Sequence, residues 1–387
     1  MFALIVLCHL IPQDARENPS PSPSPKRGGR AGGLGSSFRF EFESKHMGTK
    51  GGVDVHAPPS LLGKGAGGLG SSFRFEFESK HMGTTFRVVL YAADKESAEK
   101  AAKAAFARVA ELDGIMSDYK KDSELMRLCA TFAKEIGEPV PVSEDLFAVL
   151  AKAEEMSKAS DGAFDVTVGP VVQLWRHARR TQQLPEKDEL AAALAKLGYK
   201  NVQLDAKKRT VKLLVPAMQL DLGGIAKGYA ADAALKLLRD KFGIKQALVA
   251  AAGDITCGDL PPDKNAWTVD IAPIAKGQKL RSLQLKNSAV STSGDLEQFV
   301  EIGGVRYSHI VDPKTGLGIT GRRSVTVIAR QGVTADSMTK AVMLMPWEKA
   351  LDLVEKTDGA AAYIAIVGKD EKLQTTESKR FKEFVLK

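Results

Sequence analysis

The sequence predicts an α+β fold, and three observations carry that reading. Strand-like segments come in runs with helices interspersed, rather than in strict alternation, the pattern of a sheet with segregated helices. Residues 73–92, FRFEFESKHMGTTFRVVLYA, alternate with period two on both sides of a Met-Gly-Thr turn, which marks a hairpin. Residues 95–119 then switch to a helical period, with Ala102, Ala105, Phe106, Val109 and Leu112 on one stripe. A doubly wound parallel sheet is the weaker alternative.

The other elements follow in order. Helices are expected over 145–160 and 186–197, then strands at 201–204, 210–214 and 218–220, and a helix over 225–242. Strand-like segments at 247–251, 267–271, 282–285, 289–293, 300–302 and 325–328 lead to helices at 336–344 and 347–356 and a closing strand at 361–367. The folded domain is expected over 71–387, with residues 1–70 outside it as a disordered N-terminal region. Residues 13–35 are rich in Pro, Ser, Gly and Arg, a linker composition. Residues 31–49 recur letter for letter as 66–84, and only the second copy runs on into an alternating strand. Stacked repeats need about three units to bury a core, so this pair reads as a recent duplication or a misassigned gene start.

The opening MFALIVLCHLIP is too short to span a bilayer and has no basic residues before its apolar run, so at best it is a degenerate signal peptide. Leu7–Cys8 hints at lipid attachment, but small residues are missing just upstream. A composition of 44% hydrophobic and 26% charged residues supports a sizeable soluble core. The net charge of +8 is modest and spread out, with no Lys/Arg block interleaved with aromatics. It suits a small polyanion such as a nucleotide, and nucleic acid is not an expected partner. Cys8, Cys129 and Cys257 lie far apart without CxxC spacing, which argues against a zinc site or a disulfide framework.

Four segments could carry chemistry. In LDLGGIAKGYAAD a strand is expected to end at Asp221, Gly223 and Gly224 turn the chain, and a helix begins near Ile225. Glycines admit a ligand close to the backbone, helix-start amides favour phosphate, and Lys227 adds a charge. An ordinary strand–helix turn explains the same letters. In SDGAFDVT, Ala163, Phe164 and Asp165 place an aromatic beside a carboxylate after a turn, or else form a helix C-cap with Phe164 in the core. In RYSHIVDPKTG, His309 and Asp312 form a candidate acid/base or orienting pair, though Asp-Pro-Lys-Thr-Gly is also a sound turn. In TADSMTKA, Asp336, Thr339 and Lys340 share a face at a helix start, where oxygen ligands suit magnesium; the plain alternative is an N-cap.

Taken together and in order, HMGTTFRV, MSDYKKDSELMRL, SDGAFDVTVGPVVQLW, LDLGGIAKGYAAD, STSGDLEQF, YSHIVDPKTG and TADSMTKA resemble the ApbE family of FAD:protein FMN transferases, over about His81 to Val367. The resemblance implies an ApbE-like, T-fold-related arrangement of mixed and antiparallel sheets with packed helices. It implies FAD as substrate, Mg²⁺ as cofactor, and an acceptor flavoprotein whose Ser or Thr hydroxyl takes FMN as AMP leaves. It places Met82, Tyr119, Ala163, Phe164, Asp165, Asp221, Lys227 and Ile310 on FAD, and His309 near the flavin. His309, oriented by Asp312, is the candidate base, with Asp221 as the alternative. The metal would be held by the Gly224 carbonyl, Asp336 and the positions of Thr339 and Lys340.

Lys340 departs from the family, which commonly has Thr there, because an ammonium cannot ligate a cation. Either Lys340 points away and leaves the metal in place, which is the expectation, or its charge takes the metal's position. Ala251-Ala252-Gly253-Asp254 is a smaller departure, since relatives often carry two glycines before this Asp. Relatives usually work outside the cytoplasmic membrane, often lipid-anchored, which points to the cell envelope, with acceptors among redox-complex subunits or secreted flavoproteins. A FAD pyrophosphatase and a non-catalytic FAD carrier are the alternatives to the transferase.

Overall fold

The computed structural model describes residues 72–386, apart from 263, 276, 295–298 and 369. The expectations for residues 1–70, including the first copy of the duplicated segment, lie outside the described residues. The chain runs through β1 (Phe73–His81), β2 (Thr84–Ala92), α1 (Lys95–Met116), α2 (Glu124–Thr131), β3 (Val140–Pro141), α3 (Glu144–Ala159), α4 (Gly169–Thr181) and α5 (Lys187–Leu194). Next come β4 (Val202–Asp205), β5 (Thr210–Leu213), α6 (Ala226–Phe242), β6 (Ala247–Ala251), β7 (Asp254–Cys257), β8 (Trp267–Ile271), β9 (Arg281–Leu285) and β10 (Ser288–Gly294). The remainder is β11 (Phe299–Ile302), β12 (Val305–Val311), β13 (Gly318–Thr320), β14 (Arg322–Ala329), α7 (Gly332–Leu344), α8 (Trp347–Lys356), β15 (Ala361–Val367) and β16 (Leu373–Glu377).

Eight strands form the main sheet in the order β1-β2-β6-β7-β10-β14-β15-β16. Every neighbouring pair in it is antiparallel. The expected hairpin is its first pair: Phe73 faces Ala92 and His81 faces Thr84. Met82 and Gly83, both at positive φ, close it as a two-residue turn.

Because side chains alternate along a strand, each strand feeds two cores. Val88, Leu90, Val249, Val325, Val327 and Ile364 point into the layer that holds α1, α3, α6 and α7. Val89, Leu248, Ile328 and Tyr363 point the other way, onto the β8–β9 hairpin and Phe381. A third cluster joins α4 and α5 to the β11-β12-β13 sheet through Val171, Trp175 and Val311.

Three differences from the expected elements bear on the site. Residues 218–220 are not a paired strand: Leu220 donates its N–H to the Cys129 sulfur at 3.4 Å and Asp221 donates to the Val166 carbonyl at 2.8 Å. These amides go to a side chain and to the carbonyl of a short 3-10 turn rather than to a neighbouring strand. Helix α4 has no counterpart among the expected elements. Pro170 lies in the first turn, where its missing N–H costs no helical bond. Helix α7 starts at Gly332, four residues before the expected Asp336. Its first amides, of Gly332 and Val333, donate to the Asp232 carboxylate of α6 at 2.7 and 2.9 Å, a cap supplied by another helix.

Helices α6 and α7 cross in close contact. A Cβ at Gly228 would lie 2.2 Å from the Gly332 carbonyl oxygen and 2.8 Å from the Asp336 Cβ. Only a residue without a side chain lets the two backbones approach this far. Gly228 touches both Gly332 and Asp336, and Asp232 lies beside Gly332, so the crossing is centred on Gly228 and Gly332.

Candidate functional site

The crossing brings the Lys227 turn and the Asp336 helix into one place. Asp336 is wholly buried and 0% exposed, and both of its carboxylate oxygens are engaged. Oδ2 accepts the Gly228 N–H at 3.0 Å, and Oδ1 pairs with the ammonium of Lys340, one turn further along α7. The two ammoniums, of Lys227 and Lys340, hold the Asp336 carboxyl below the usual carboxylate range although burial alone would raise it. Lys227 donates to the Gly223 carbonyl at 3.1 Å and pairs with Asp254 at 3.3 Å. Burial alone would lower the pKa of Lys227, but Asp336 and Asp254 outweigh it and the net shift is upward, so the group stays charged. Asp254 is itself buried and accepts from the Ser291 hydroxyl at 2.6 Å. Two carboxylates and two ammoniums thus form one cluster. Gly224 and Phe164 border it: a Cβ on Gly224 would lie 3.3 Å from the Phe164 ring and 3.4 Å from Cγ of Lys340.

A second polar group lies at the start of the same turn. Asp221 accepts the Gly223 N–H at 2.7 Å and pairs with Arg176 of α4 at 3.1 Å. Burial, and then Asp118, push the Asp221 carboxyl upward. Arg176 also pairs with Asp118 at 2.5 Å and lies 4.2 Å from the ring centre of Tyr119. That cation–π contact holds a tyrosine that is 76% exposed.

The other expected site residues are distributed as follows. Met82 forms the β1–β2 turn and packs against the main core. Ala163 and Phe164 are buried, and Phe164 and Ile310 belong to the same core cluster as Ile225 and Ala226 at the start of α6. Asp165 is buried and serves the backbone, with Thr167 N, the Thr167 hydroxyl and Tyr199 N donating to it at 2.8, 2.7 and 2.9 Å. Burial is the largest influence on its carboxyl and pushes it upward. His309 is half-buried near the end of β12. Asp312 builds the following turn, accepting the Lys314 N–H at 2.9 Å on its side chain and the Thr315 and Gly316 N–H groups on its carbonyl.

The donor set decides whether magnesium fits. Mg²⁺ prefers about six oxygens at about 2.0–2.1 Å in octahedral array. At Asp336 one oxygen holds an ammonium and the other a backbone N–H, and the Thr339 hydroxyl donates within its own helix to the Ala335 carbonyl. Among the described residues no group of three or more His, Cys, Asp or Glu could hold a metal. The residues present do not fit magnesium. The expectation that Lys340 points away is corrected with it. A lysine at i+4 from a buried carboxylate finds its counter-ion there.

Sequence reasoning missed Arg176, Asp118, Asp232 and Asp254. Asp232 and Asp254 stood at the ends of quoted segments, LDLGGIAKGYAAD and AAGD, but their partners are distant in the chain. Arg176 lies in the unforeseen α4, whose stripe of Val171, Trp175 and Ala178 was the readable signal.

The fold places the chain in the class of the flavin transferases. It superposes on the flavin transferase ApbE from Vibrio cholerae with a TM-score of 0.72 and 29% identity, covering 81% of this chain and 100% of that one. The Pseudomonas stutzeri flavinyl transferase ApbE in its apo form gives 0.71 and 30%, covering 82% and 98%. Among curated relatives, the FAD:protein FMN transferase of Haemophilus influenzae is 32% identical over 281 residues, which is 70% of this chain and 80% of that protein. The corresponding Escherichia coli K12 protein is also 32% identical, over 71% and 78%. The model of the ApbE family matches residues 82–364, and the chain belongs to this family.

Proposed function

We propose that the chain transfers FMN from FAD to a Ser or Thr hydroxyl of an acceptor flavoprotein and releases AMP. The supporting observation is the convergence of Lys227, Asp254, Asp336 and Lys340 beside the Gly223–Gly224 turn, a charged cluster at the start of α6. The acceptor oxygen forms a bond to the FMN-side phosphorus, the phosphoanhydride bond breaks, and AMP leaves with its electron pair. Such a transfer needs positioning and charge neutralisation on the phosphoryl oxygens, which Lys227 and Lys340 supply. His309 is the proposed acceptor of the hydroxyl proton, and Asp312 fixes the turn after the strand that carries it. Asp221 is the poorer base, because Arg176 and the Gly223 amide already occupy its oxygens. Tyr119, Met82 and Phe164 are the proposed flavin-side contacts, with Ala163, Asp165 and Ile310 completing the wall. A cell-envelope location, membrane anchoring and redox-complex acceptors belong to this proposal through the family alone. Among the described residues no helix is long and apolar enough to cross a membrane.

Mass spectrometry after incubation with FAD and a flavoprotein carrying a Ser/Thr acceptor site, with and without magnesium, tests the proposal. The expected result is the acceptor heavier by covalent FMN, with AMP released. Free FMN and AMP with an unmodified acceptor would make the chain a pyrophosphatase. Unchanged FAD would make it a carrier.

A further inference from the structure

We infer that this chain neutralises its dinucleotide with two tethered ammonium groups, and that Lys340 stands permanently where a divalent cation would bind. The use assigned to the cluster rests on the proposed FAD reading; the exclusion of a metal does not.

Charge balance is the first ground. Asp336 and Asp254 contribute two negative charges and Lys227 and Lys340 two positive ones, so these four groups already balance, with Asp221 facing Lys227 and Asp232 facing Asp336 from the same turn and helix. A dication admitted beside Asp336 would meet two ammoniums fixed to the backbones of α6 and α7, and like charges so close repel strongly. Connectivity is the second. Lys340 lies one helical turn from Asp336 on the same face, so its charge is always at hand, and its stem packs beside Gly224, where a Cβ would be in van der Waals contact with it at 3.4 Å. It is 16% exposed, so it is not a surface lysine that happens to fold over the carboxylate.

The third ground is the supply of donors. An ammonium offers three N–H donors. Lys227 uses donors on the Gly223 carbonyl and Asp254, and Lys340 uses one on Asp336. Among the described residues this leaves Lys340 able to keep its carboxylate and still donate to phosphate oxygens. The carboxylates then act as positioning groups that hold each ammonium, and the ammoniums face the ligand.

Manganese titration of the apo protein, followed by the electron paramagnetic resonance of free Mn²⁺, tests this without reference to turnover. Wild type is expected to bind no Mn²⁺ at the cluster, and its FAD affinity should change by less than about threefold between EDTA and magnesium. Lys340→Thr, checked for folding by thermal melting, should take up one Mn²⁺ and bind FAD about tenfold more tightly with magnesium than with EDTA. Stoichiometric Mn²⁺ binding by wild type would overturn the inference, as would a tenfold loss of its FAD affinity in EDTA. A folded Lys340→Thr protein that takes up no Mn²⁺ would also overturn it. Should Lys340→Thr fail to fold, the wild-type titration alone decides. Wild type that binds neither Mn²⁺ nor FAD would defeat the proposed function while leaving the exclusion of the metal intact.

Discussion

Asp336→Ala is expected to lower the free energy of unfolding by about 3–5 kcal/mol, the usual cost of removing one partner from a buried ion pair. The carboxylate lies fully inside the α6–α7 crossing, and its loss strands the Lys340 ammonium and leaves the Gly228 N–H without its acceptor. Asp336→Asn keeps an acceptor for Gly228 but not the charge, and should lose roughly half as much. A double variant, Asp336→Leu with Lys340→Met, removes the uncompensated charge altogether and should recover much of the loss, because well-packed apolar replacements of buried pairs are often tolerated. Urea unfolding with an unchanged m-value is the measurement. A loss below about 1 kcal/mol for Asp336→Ala would mean that the cluster does not hold the crossing together.

The second large effect is on catalysis. Lys227→Met is expected to lower kcat/KM for FMN transfer by about 10²–10³, or about 3–4 kcal/mol, the scale of one preorganised charge-stabilising donor. Met keeps the length and apolar stem of the side chain, so packing at the start of α6 is retained. Asp254 keeps the Ser291 hydroxyl but loses its counter-ion while buried, so stability should also fall, by up to about 3–5 kcal/mol. Lys227 is 22% exposed, unlike the nearly buried Asp254 carboxylate it pairs with. Steady-state transfer to the acceptor, alongside a melting curve, separates the two effects. Transfer within about threefold of wild type would remove Lys227 from the machinery.

Much of the fold could be read from local pattern. The β1–β2 hairpin was legible because alternation and a Met-Gly turn fix its register together, and α1 because its alanine and valine stripe repeats at helical spacing. The start of α7 was not legible. Its cap, Asp232, lies 100 residues upstream of Gly332, and no periodicity connects residues that far apart. The 218–220 segment failed for a related reason: its apolar residues are strand-like, but the amides of Leu220 and of Asp221 after it go to a thiol and to the carbonyl of a short 3-10 turn. At the site, Gly223, Gly224, Lys227 and Asp336 could be named from the sequence, whereas their meeting depends on the missing Cβ of Gly228. The expectation that Lys340 points away fails because a sequence shows that it is one turn from Asp336 but not that the carboxylate is sealed from water.

Hydrogen–deuterium exchange with and without saturating FAD addresses the central claim most directly, that the Lys227 turn and α7 grip one dinucleotide together. Slower exchange is predicted in both 222–230 and 332–341, arising together at the same FAD concentration. Bound FAD that slows exchange elsewhere and leaves both of these segments unchanged would contradict the account.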